Sequence, residues 1–209
     1  MESARFLVFT DGACSKNGRA GARASFAVVG AVATAGLVEA ATYRLVDARA
    51  PELGFVSLAD SANEAGCPAP SNNRGELLAI AHALLGLLRL VTVVPPALQR
   101  LAGAAAAAPP AAAVLPVCEI VSDSRISLMT LSDWLPARRR KGTAHQLCNF
   151  DLVEIAEALL AALRAVATVE LTHVNSHTPA PPASAPARAR ALWAGNAAAD
   201  AAATAALEK

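Results

Sequence analysis

Apolar positions along this chain follow two rhythms. Short runs rich in strand-forming residues occur at 6–10, 25–32, 42–46, 117–122 and 169–174, the last alternating as a half-buried strand does. A helical period governs 72–90, where Leu77, Leu78, Ile80, Ala81, Leu84, Leu85 and Leu88 share a side. The same period governs 150–165, where Leu152, Ile155, Ala156, Leu159, Leu160 and Leu163 do. A helix is expected to follow Asp123-Ser124 as far as Trp134, and an alanine-rich one to span 188–207. Asp11-Gly12 reads as the turn ending the first strand, Gly18 and Gly21 fit a hairpin connection, and Asn72 is the expected cap of the long helix. Pro95 and Pro96 stop that helix. Strands leading into alternating helices and strands predict an α/β fold with a mixed sheet and helices packed against it.

Between these elements lie stretches with turn chemistry and no periodicity. Residues 47–71 hold Pro51, Gly54, Gly66, Pro68 and Pro70 and read as one long loop. Residues 101–113 form an alanine/proline tract in which Pro109 and Pro110 break any helix. The expectation is one domain over 1–209, with inserted loops at about 47–71 and 95–116. Residues 138–142 read as a basic loop and 179–186 as a proline-rich one.

Hydrophobic residues make up 55% of the 209, but aromatics only 4%, because much of the apolar count is alanine. The net charge of +1 excludes a global basic field, so any nucleic-acid binding must use a local patch. Cys14, Cys67, Cys118 and Cys148 form no Cys-x-x-Cys pair and lack zinc-ligand spacing, which fits reduced thiols. The start is too short for a signal peptide, and the apolar run at 84–94 is interrupted by Arg89 and too short for a span. An intracellular protein, cytoplasmic or nuclear, with no membrane partner and a monomeric state, is expected.

Four acids stand out. Asp11 and Asp123 end apolar strands, Glu76 precedes Leu77-Leu78 early on a helix, and Asp200 is the one acid in 191–207. Singly, each has an ordinary reading: a turn former, an N-cap, and two solvated helix charges. Strand ends and helix faces converge in α/β sheets, however, and clustered carboxylates repel unless cations neutralise them. Hard oxygen ligands suit Mg²⁺ or Mn²⁺, and paired ions of that kind serve phosphodiester cleavage.

The neighbours of these acids resemble the ribonuclease H type 1 family. Phe9-Thr10-Asp11-Gly12 is similar to its first-strand signature and Asn72-Asn73-Arg74-Gly75-Glu76-Leu77 to its helix motif. Ser122-Asp123-Ser124, Val174-Asn175-Ser176-His177 and Gly195-Asn196-Ala197-Ala198-Ala199-Asp200 follow in family order. The resemblance implies a ribonuclease H-like fold with a five-stranded mixed sheet flanked by helices. It implies metal-binding acids at Asp11, Glu76, Asp123 and Asp200, two Mg²⁺ ions that Mn²⁺ replaces, and a loop histidine, His177, that moves protons or aids product departure. The implied activity is endonucleolytic hydrolysis of the RNA strand of an RNA–DNA hybrid, leaving 5′-phosphate and 3′-hydroxyl ends.

The same resemblance implies substrate contacts at Cys14, Asn17, Asn72, Asn73, Ser124 and Asn196. A basic element made of Trp134, Arg138, Arg139, Arg140 and Lys141 is implied to hold DNA phosphates; Arg188 and Arg190 are further candidates. His82, His145 and His173 match no family position and read as structural or exposed. The chain departs from the family at Arg125 and Ile126, where Gln and Tyr are common. It also departs after His177, where Thr178 and Pro179 replace a nearby Gly and Pro181, Pro182 and Pro186 lengthen the loop. These departures keep two alternatives open, a non-catalytic hybrid-binding module and a DNA nuclease of the same superfamily.

Overall fold

The computed structural model describes residues 5–33, 43–46, 58–61, 70–93 and 115–208. Its sheet is built on β1 (Arg5–Ser15), β2 (Arg23–Ala33), β5 (Val117–Ser122) and β6 (Thr168–His173). Two short strands, β3 (Tyr43–Val46) and β4 (Leu58–Ser61), both pair with β2, giving the order β3-β2-β1-β5-β6 with β4 beside β3 on the outer edge of β2. β1 and β2 are antiparallel; β1, β5 and β6 run parallel. The helices are α1 (Asn72–Val93), α2 (Arg125–Met129), α3 (Leu135–Arg140), α4 (Phe150–Arg164) and α5 (Ala187–Ala206), with a π-helical turn, Thr130–Trp134, joining α2 to α3.

Side-chain alternation sorts β1 between two cores. Val8 joins Phe26, Leu84, Ile120 and Leu160 in the larger one, under α1 and α4. Leu7 and Phe9 join Val121 and Ala199 in the smaller one, under α5. A sheet covered on both sides explains why β1 and β5 read as near-continuous apolar runs rather than alternating ones. Helix α1 has the length and hydropathy of a membrane span, but most of it is buried in the larger core.

Several boundaries differ from expectation. β1 does not end at Asp11-Gly12; it stays paired with β2 as far as Ser15 opposite Arg23. Gly12 serves packing instead of a turn, because a Cβ there would collide with the Glu76 amide nitrogen and stand 2.6 Å from the Gly75 carbonyl carbon. Ser71, not Asn72, caps α1: its hydroxyl accepts from Arg74 N at 3.2 Å. Part of the expected loop at 47–71 is strand β4, so the described residues form a sheet of six strands rather than five. Arg138, Arg139 and Arg140 are the last turn of α3 rather than a loop, and only Lys141-Gly142 turn away. Residues 47–57, 62–69 (with Cys67) and 94–114 lie outside the described residues.

Candidate active site

The parallel ladder between β1 and β5 closes at Thr10 opposite Ser122. The next residue along each chain segment is an acid, Asp11 within β1 and Asp123 just past the end of β5. Beyond that pair β1 has no parallel partner among the described residues, and the gap lets groups from both sides of the sheet meet. Asp11 shares its parity with Leu7 and Phe9, hence the α5 side; Glu76 comes from the first turns of α1 on the other. Close approach of α1 depends on two glycines, since a Cβ on Gly75 would also collide with the Ser25 carbonyl oxygen and stand 3.2 Å from Gly12 Cα.

Carboxylate oxygens of Asp11, Glu76 and Asp123 all lie within 4.8 Å of one another. Asp11 and Glu76 are 5% and 3% exposed, while Asp123 is half-buried. Burial, then the charges of Asp123 and Asp200, push the Asp11 carboxyl up to about 7; the Gly12 amide, donating a hydrogen bond, offsets only part of this. Burial, then the charges of Asp11 and Asp123, push Glu76 up to about 9. Asn72 Nδ2 donates to Glu76 Oε1 at 3.4 Å, but Glu76 Oε2 is buried with no hydrogen-bond partner among the described residues. Three hard oxygen donors, mutually repelling and with an orphaned oxygen, fit a divalent cation such as Mg²⁺ or Mn²⁺.

Asp200 does not join that trio, but it lines the same groove of about 630 Å³. Its position follows from Gly195, where a Cβ would enter the Phe9 ring, so α5 lies directly on β1. Arg188, the second residue of α5, donates to buried Glu119 on β5 at 2.6 and 3.0 Å, which ties up a residue expected to meet phosphate. Burial alone would raise the Glu119 carboxyl; hydrogen bonds from Arg188, Thr172 and Arg5 outweigh it and hold it below its ordinary value.

His177 is exposed, adopts a left-handed φ of 53°, and lines the groove. Its loop is pinned by Trp193, whose Nε1 donates to the Thr178 carbonyl at 2.9 Å. Cys14, Asn72, Asn73 and Ser124 also line the groove. Asn17 sits at its rim, where its Oδ1 accepts from Asn72 N at 3.4 Å. Ser124 has a structural duty too, since its hydroxyl caps α2 through Ser127 N. Asn196 is buried and lines a neighbouring cavity of about 420 Å³ with His177 and Asp200.

The basic element divides. Trp134, Arg138 and Lys141 line an adjoining cavity of about 700 Å³ that shares Asn73 and Ile126 with the groove. Arg139 instead faces α4, bonding Glu157 at 2.6 Å and Glu154 at 3.3 Å, with its guanidinium 5.4 Å from the Phe150 ring centroid. Arg140 is exposed.

Two further residues near the site fall outside the set that the sequence singles out, Arg125 in the groove lining and His173 behind it. Arg125 entered only as a departure, yet it is exposed on the groove wall and has no ion-pair partner among the described residues. His173 was read as structural or exposed; its Nε2 lies 3.2 Å from the Asp123 carbonyl oxygen, bracing the strand end. A signal existed for Arg125, a cation two residues after the third acid.

No family model matches the chain, and no curated protein matches it. Among solved structures it is similar to LC9-RNase H1, described as a type 1 RNase H with the type 2 active-site motif. The identity is 18% over all of this chain and 74% of that one, with a TM-score of 0.56. The PFV RNase H domain matches at 14% identity over 99% of this chain and 96% of that one, with a TM-score of 0.60. The foamy viral protease-reverse transcriptase in complex with RNA/DNA hybrid matches at 14% identity over 98% of this chain but only 20% of that one, with a TM-score of 0.54. A shared course of nearly the whole chain at such low identity speaks to architecture, and the chain has the ribonuclease H fold.

Proposed function

We propose that the protein is a type 1 ribonuclease H, an endonuclease that hydrolyses the RNA strand of RNA–DNA hybrids by a two-metal-ion mechanism and leaves 5′-phosphate and 3′-hydroxyl ends. The observation that carries this reading is the carboxylate trio, Asp11, Glu76 and Asp123, within 4.8 Å on a ribonuclease H fold. Asp200 on the same groove is the fourth ligand in this proposal. Divalent cations bound there neutralise the carboxylates, activate water and stabilise the leaving oxygen.

The chain's own residues do the rest. Asn72 holds one oxygen of Glu76, and the Gly12 amide donates to the acid pair, so the carboxylates are oriented before substrate arrives. His177 presents an exposed imidazole on the same groove, and in this reading it moves a proton at the departing 3′ oxygen. Cys14, Asn17, Asn72 and Asn73 line or border the groove, where amide groups can recognise a 2′-hydroxyl, both donor and acceptor, without reading bases. Ser124 and Asn196 flank the scissile phosphate in this reading, and Trp134, Arg138, Arg140 and Lys141 grip the DNA strand.

Competing labelled RNA–DNA, DNA–DNA and RNA–RNA duplexes with Mg²⁺ tests the reading. The expected result is cleavage confined to the RNA of the hybrid, with products that a ligase requiring 5′-phosphate and 3′-hydroxyl ends can rejoin on a splint. Tight hybrid binding without turnover would make the protein a binding module; preferential cutting of the DNA duplex would make it a DNA nuclease.

A further inference from the structure

The cations of this protein sort by whether an acid already holds them. Arg5 bonds Glu119 and Glu170, Arg74 bonds Asp151, Arg139 bonds Glu154 and Glu157, and Arg188 bonds Glu119. The hairpin between β1 and β2 differs. Lys16, Arg19 and Arg23 are exposed there and have no ion-pair partner among the described residues. With a net charge of only +1, three unneutralised cations on one hairpin are a strong local feature.

The turn carrying them is well defined. Arg19 N donates to Lys16 O at 2.8 Å and Ala22 N to Arg19 O at 3.1 Å, while Lys16, Gly18 and Gly21 adopt φ of 52°, 73° and 74°. It is fastened to the groove as well. Asn17 accepts from the Asn72 backbone, and Asn72 in turn donates to Glu76. The hairpin therefore moves with the groove wall, at its rim rather than over the acids.

We infer that this hairpin is a phosphate clamp, in which Lys16, Arg19 and Arg23 grip the phosphodiester backbone of the hybrid at a distance from the cut. The inference rests on the hybrid-cleavage reading. A trio of acids repels a polyanion, and cations beside the groove offset that repulsion during docking. From Asp11 to Lys16 is five residues of extended strand, about 17 Å at about 3.4 Å each. For a duplex lying along β1, a separation of that size puts the clamped phosphate several nucleotides from the scissile one. The clamp is separate from Arg138 of α3 and Lys141 just after it, which line another cavity.

The test is the salt dependence of binding to a long hybrid, measured by fluorescence anisotropy with Asp11→Asn protein so that the RNA stays whole. Each phosphate contact contributes about 0.9 to the slope of log affinity against log salt. Replacing Lys16, Arg19 and Arg23 together by Gln is expected to flatten that slope by about 2 to 3, and Arg19→Gln alone by about 0.9. Arg164→Gln, on α4, should leave it unchanged. Shortening the duplex arm to about three nucleotides beyond the cut should weaken the parent and spare the triple variant. A folded triple variant, shown by its circular dichroism, with the parental slope overturns the clamp alone. A parent that does not bind hybrid at low salt overturns both the clamp and the functional reading.

Discussion

Asp11 and Glu76 are held where an isolated carboxylate would not choose to ionise. Unfolded, they titrate near 3.8 and 4.5; folded and without cations, at about 7 and about 9. The folded chain therefore binds more protons between those limits, and its stability falls as pH rises through them. The melting temperature of metal-free protein should drop between pH 5 and pH 9, and saturating Mg²⁺ should restore it at the alkaline end; a metal-free curve that rises over this range contradicts the clustering. Replacing a ligand tests the chemistry separately. Asp11→Asn or Asp123→Asn should retain the circular dichroism of the parent and lose hybrid cleavage by on the order of a thousandfold, as expected when several kcal/mol of charge stabilisation are removed. Arg125→Ala should leave kcat near the parental value and raise KM several-fold, since an exposed cation on the groove wall adds binding alone; an equal loss in both would place it at the reacting atoms. The identities and order of the acids were readable from the chain. That Asp11, Glu76 and Asp123 cluster while Asp200 stands off was not, because it depends on where α5 lies against β1. Nor could the chain reveal that Arg139 is taken by Glu154 and Glu157, a partnership between two helices.

Three glycines decide how the elements carrying the acids approach one another. Gly12 and Gly75 let α1 lie on β1 and β2, and Gly195 lets α5 lie on the Phe9 ring. Gly195→Ala must push α5 outward or displace Phe9, at about 1–3 kcal/mol in urea unfolding. It should lower cleavage more than that stability loss alone explains, because Asp200 moves with the helix. Gly18→Ala, in a turn with open space around it, should cost stability through its φ of 73° and weaken hybrid binding through the clamp, yet leave kcat unchanged. The helices were legible because their apolar period is long, α1 and α4 above all. Strand limits were less so. Asp11-Gly12 carries the composition of a turn, and only the continuing pairing with β2 shows that β1 runs through it. Strand β4 was missed because four residues between stretches of loop composition offer no alternation to detect.

For the whole molecule, a sheet covered by α1 and α4 on one side and α5 on the other opens at the end of β5, and the acids gather at that opening. Around it the cations of the β1–β2 hairpin and those at the C-terminal end of α3, Arg138 and Lys141, lie on separate parts of the rim, on a protein with little net charge. Binding of hybrid should therefore weaken steeply with added salt while metal-supported stability changes little. The most direct measurement is single-turnover cleavage of a hybrid labelled at the RNA 5′ end, followed across a titration from chelated buffer to saturating Mg²⁺ and, separately, Mn²⁺. Acids that hold paired cations predict intact RNA under chelation and internal cuts that rise with metal and disappear in Asp11→Asn. RNA left whole at saturating Mg²⁺ and Mn²⁺, or cut equally well under chelation, would contradict that chemistry.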